Sequence, residues 1–86
     1  MTYLEFFYEV SDLVEKAFPN MYHKDTLVMQ LMILGMTTQN ATAIQIKRRK
    51  ERFVENLSKD GIDNLAIIKA LNLYEENRLP DEQETN

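Results

Sequence analysis

Pro19, Gly35, Gly61 and Pro80 are the only prolines and glycines in the chain. Folds built from many short strands draw heavily on these two residue types at their turns. Glycine reaches positive φ without strain, and proline pre-sets φ. So few of them cannot punctuate a sheet, but they are enough to separate a small number of long helices. At 86 residues the chain is one small domain, burying only about 60% of the surface its unfolded form exposes. Its core must therefore be efficient or be shared with a partner.

Between the breaks, apolar residues recur at helical spacing. Thr2 and Glu5 make a capping-box pattern, and Leu4, Phe7, Tyr8, Ser11, Val14 and Phe18 follow as a stripe. A first helix is expected over 3–17, stopped by Pro19, which pushes the residue before it out of the α region. The second helix, over 24–34, is apolar on more than one face through Leu27, Val28, Leu31, Met32 and Leu34, as a buried central helix would be. Met29, Met32 and Met36 read as gap-filling core residues. Gly35 stands where a left-handed C-cap is wanted, and Thr37 or Thr38 can cap a third helix over 38–57.

Ala43, Ile46, Phe53, Val54 and Leu57 give the third helix a directed apolar side, with Lys50 beside it and obliged to snorkel. Ser58-Lys59-Asp60-Gly61 closes it. A fourth helix over 62–77 begins with Asp60 and Asp63 near its positive end. Residues 80–86 have no apolar anchor and read as a disordered acidic tail. The expected fold is all-α: a compact four-helix domain over 1–79 with a central helix-turn-helix-like pair, followed by that tail.

The net charge of −4 conceals an asymmetry. Residues 1–26 carry five acids and two bases (−3), residues 27–59 two acids and six bases (+4), and residues 60–86 seven acids and two bases (−5). Five of the ten basic residues fall in the run Lys47-Arg48-Arg49-Lys50-Glu51-Arg52. A mildly acidic protein with one basic block suits a local anionic partner better than indiscriminate coating of DNA.

The residue inventory argues against an enzyme. The chain has no cysteine, so disulfides and thiolate metal sites are excluded. Its single histidine, His23, has no second histidine or cysteine to form a metal pair or a nucleophile–base couple. The two glycines are isolated, so there is no glycine-rich phosphate loop. No catalytic residue, metal ligand or cofactor is assigned. The longest nearly apolar run, Leu27 to Met36, is about half the roughly 20 residues that span a bilayer, and no membrane association is expected. The missing cysteines and an N-terminus unlike a signal peptide point to the cytoplasm.

Lys24 to Phe53 resembles a DNA-binding helix-turn-helix: a packed apolar helix, a turn containing glycine, and a second helix with polar residues at its start. The resemblance implies that Thr38, Gln39, Asn40, Thr42 and Gln45 face base edges, where asparagine and glutamine pair with adenine. Lys47, Arg48, Arg49 and Arg52 would then neutralise phosphates. The competing expectation is a protein-interaction module or small inhibitor. It would use surplus apolar surface on the fourth helix, at Ile62, Ala66 and Leu73, together with the basic face. The expected partner is thus double-stranded DNA or, on the alternative, a protein, with a second copy of the chain expected in a homodimer. A small regulator of the kind carried as an accessory by phages or plasmids fits this profile.

Overall fold

A computed structural model describes residues 2–77, which form four helices: α1 (Tyr3–Ala17), α2 (Lys24–Thr38), α3 (Ala43–Lys59) and α4 (Asn64–Asn77). The all-α fold is as expected, and no strand occurs among the described residues. The acidic stretch 80–86 lies outside them.

The start and stop of α1 follow from its own residues. Thr2 Oγ1 accepts from the Glu5 backbone N–H at 3.1 Å, and Glu5 Oε1 accepts from the Thr2 N–H at 2.9 Å, so two end groups that helical bonds leave unpaired are satisfied. Phe18, before Pro19, leaves the helical region at φ −131°. The buried side agrees with the expected stripe at Val14 and Phe18 and differs from it elsewhere. Phe6, Val10 and Val14 enter the core, flanked by Leu13 and Ala17, while Leu4, Phe7 and Tyr8 stay exposed. The reason lies on the helical wheel. The Phe6–Val10–Val14 arc is apolar throughout, whereas Glu15 and Asp12 interrupt the other arc.

In α2 the expected stop at Gly35 is corrected. The helix runs on to Thr38 with Gly35 buried inside it. Glycine costs about 1 kcal/mol within a helix, and beyond it Thr38 is buried, with its hydroxyl bonded to the Leu34 carbonyl and meeting the Tyr74 hydroxyl. The actual stop comes from Gln39, which is extended (ψ 125°), and Asn40, whose φ of +61° is left-handed. Asparagine is among the few side chains that accept this conformation readily. The Thr37 and Thr38 hydroxyls donate back to the Ile33 and Leu34 carbonyls at 2.8 and 2.7 Å, occupying acceptors of the last turn.

Consequently α3 begins five residues later than the expected start at Thr38, and extends to Lys59. Its cap is a second capping box, between Thr42 and Gln45. At its far end the Gly61 N–H donates to the Ser58 carbonyl and the Ile62 N–H to the Leu57 carbonyl, both at 3.0 Å. This is the paired arrangement of a Schellman motif, with Gly61 at φ +81°. The motif carries an apolar residue inward just past the glycine, and Ile62 is accordingly buried at 6% exposure. The fourth helix starts at Asn64 rather than at Ile62, with Asp63 Oδ2 accepting from the Leu65 N–H at 3.2 Å.

The core joins all four helices around α2, which supplies Leu27, Leu31, Met32 and Leu34, half of the eight largest fully buried side chains. Polar ties fix α4 to its neighbours. The Thr38 and Tyr74 hydroxyls meet at 2.6 Å, and Lys69 Nζ donates to the Ala17 carbonyl at 2.8 Å while lying over the Phe18 ring. Lys50 reaches along the apolar side of α3 to pair with Glu75 beside the Tyr74 ring, the snorkelling position expected of it.

Two substitutions test the connections. Gly61→Ala is expected to lower stability by roughly 1–2 kcal/mol, because an L side chain is strained in the left-handed region whatever space surrounds it. Asn40→Val should cost a similar amount, since a β-branched residue fits a left-handed position poorly. Both are read as shifts in the urea midpoint at unchanged slope.

Candidate nucleic-acid interface

The turn Gln39–Thr42 and the outer side of α3 form a polar, solvent-facing surface. On α3, Phe53 and Leu57 are buried, with Ile46, Lys50 and Val54 half-buried beside them. That registry turns Gln45, Arg48, Arg49 and Arg52, at i, i+3, i+4 and i+7, away from the core. All four are exposed, and they line one shallow depression. Lys47, Lys50, Glu51 and Val54 line a second depression on the flank towards α4.

Little intramolecular charge opposes this face. Arg52 Nε lies 3.9 Å from Glu55 Oε1, with both side chains largely exposed, a pair worth at most a fraction of a kcal/mol in water (~0.5). Among the described residues, Lys47, Arg48 and Arg49 take part in no ion pair. All three are exposed to solvent. Guanidinium groups suit phosphate through bidentate donation.

The residues expected to read bases are dispersed. Thr38 is corrected from a reading position to a structural one: it is buried at the end of α2, bonded to Leu34 and Tyr74. Gln39 and Thr42 are exposed in the turn. The Thr42 hydroxyl and the Gln45 side-chain oxygen are engaged with each other's backbone N–H groups, at 3.2 and 2.9 Å. Gln45 can pair bidentately with a base only by leaving this cap, which costs about 1 kcal/mol. The arginines thus stand together on a rigid helix, while base-reading groups are fewer than the sequence suggested.

The interface residues expected on the fourth helix are also placed differently. Ile62 belongs to the core, and Ala66 and Leu73 are half-buried against it. The apolar residues that α4 exposes are Leu65 and Ile68. Sequence reasoning missed a larger apolar surface on α1 and α2, where Leu4, Phe7, Tyr8, Met29, Ile33 and Met36 are exposed. Met29 and Met36 are thereby corrected from core residues to surface ones. Two signals could have found this surface. Helix α1 carries apolar residues on two arcs, and α2 carries them all the way round.

His23 is exposed at the start of α2, and no cluster of three potential metal-binding side chains occurs among the described residues. None of the described helices is long and apolar enough to cross a membrane. No protein-family model, curated protein or solved structure matches this chain.

Proposed function

We propose that this protein is a small non-enzymatic regulator that binds duplex DNA through the outward face of α3. The observation that carries the reading is the convergence of Gln45, Arg48, Arg49 and Arg52 on one exposed helix face, with Arg48 and Arg49 in no ion pair among the described residues. A block of +4 within a chain of −4 concentrates attraction for a polyanion on that face and repels it elsewhere. Phosphate neutralisation by Lys47, Arg48, Arg49 and Arg52 comes first, and Gln39, Thr42 and Gln45 add base contacts as the turn approaches the groove. A cytoplasmic role in transcription or replication control, as in phage or plasmid accessory proteins, fits such a module. A second reading, a protein-interaction module, is favoured by the exposed apolar residues of α1 and α2.

Fluorescence anisotropy with a mixed-sequence duplex tests the DNA reading. Binding at low salt should weaken steeply as salt rises, with a slope reflecting about three or four released counterions. Arg48→Ala and Arg52→Ala should each reduce that slope by about one and weaken all duplexes alike. Thr42→Ala should instead alter the preference among duplexes. Absence of binding at low salt would overturn the reading.

A further inference from the structure

We infer that a second copy of this chain covers the face formed by α1 and α2, in a two-fold dimer. The acidic edge of each protomer then lies against the basic edge of the other. The inference does not depend on the nucleic-acid reading, and a dimer without affinity for DNA would leave it standing.

The face has an apolar centre. Leu4, Phe7 and Tyr8 on α1 and Met29, Ile33 and Met36 on α2 are between 37% and 62% exposed. The two rows adjoin, since Phe7 and Ser11 line the same depression as Val28 and Met29. Six large apolar side chains in one band exceed the scattered exposure usual on a monomer, and such a band marks a contact surface.

The two edges of this band carry opposite charge. On the α1 side stand Glu5, Asp12 and Glu15, with Asp25 at the start of α2, against only Lys16 and Lys24. Those two lysines pair with Asp12 and Glu15, at 3.1 and 3.0 Å, and leave the edge net negative. On the other side, Asn56 of α3 donates to Gln30 of α2, fixing which flank of α3 borders the band. Arg52 and Arg49, four and seven residues before Asn56, follow on that flank by helical spacing. Ile33, three residues after Gln30, belongs to the facing row of α2.

This charge pattern selects the occupant. A basic partner would satisfy the α1 edge and be repelled by the arginines, and an acidic partner would meet the reverse. A second copy rotated about an axis parallel to the band satisfies both edges at once, because that rotation exchanges left for right. An axis across the band would oppose acid to acid and is disfavoured. The dimer engages Arg49 and Arg52, which the phosphate footprint also uses, so a duplex and a second copy compete for those two side chains.

The test is the mass of the full chain in solution, by light scattering and sedimentation at micromolar concentration. The wild-type protein should sediment at twice its 10.1 kDa, and Ile33→Glu should be monomeric with its helical circular dichroism retained. Two charge-reversed variants, Asp12→Lys with Glu15→Lys and Arg49→Glu with Arg52→Glu, should each dimerise more weakly than wild type. Mixed in equal amounts, they should restore a heterodimer, since each then offers two edges of one sign. A monomeric wild-type protein would overturn the inference. So would charge-reversed variants that each dimerise as well as wild type and show no preference for one another.

Discussion

Burial of α2 on three sides is the constraint on which the rest of the molecule depends. Leu27, Leu31, Met32 and Leu34 are fully or nearly fully buried, each contributing about 1.5–3 kcal/mol relative to exposure. No other helix supplies as many fully buried large side chains. The remaining helices are arranged by the sides of α2 that they cover, and their polar faces point wherever the core is not. The outward arginines of α3 follow from this directly. With Phe53 and Leu57 committed to the core, Arg48 and Arg52 have nowhere to go but solvent. The same arrangement leaves one side of α2 uncovered, because three partner helices do not surround a helix that is apolar all the way round.

Features whose cause is local were legible in the residues alone. The Thr2–Glu5 capping box, the stop at Pro19 and the break at Gly61 all depend on neighbours within a few positions. The misreadings share a different origin, since each required knowing what packs against what. Gly35 resembles a stop signal, but Thr38 beyond it is buried against Tyr74 of α4 at the end of the continued helix. The first helix offers two apolar arcs, and only the presence of α2 decides for Phe6, Val10 and Val14. Ile62 reads as surplus surface on a fourth helix until the Schellman turn draws it inward.

The later stop of α2 also changes what the candidate interface offers. Moving the turn from Gly35 to Asn40 removes Thr38 from the start of the second helix and places Thr42 and Gln45 in its cap. The basic cluster was legible from its spacing, because i, i+3, i+4 and i+7 positions share a face in any helix. The engagement of Thr42 and Gln45 was not, since it depends on where the helix begins. The proposed interface is thus stronger in phosphate-binding groups than in base-reading groups, and its affinity should depend on salt more than on sequence.

The most direct test of that account is residue-by-residue mapping of the ¹⁵N-labelled protein by NMR as a short duplex is added. The account predicts chemical-shift changes concentrated at Gln45, Lys47, Arg48, Arg49 and Arg52 and in the turn before them, with the core of α2 undisturbed. Changes confined to the apolar residues of α1 and α2, or no change at low salt, would contradict it.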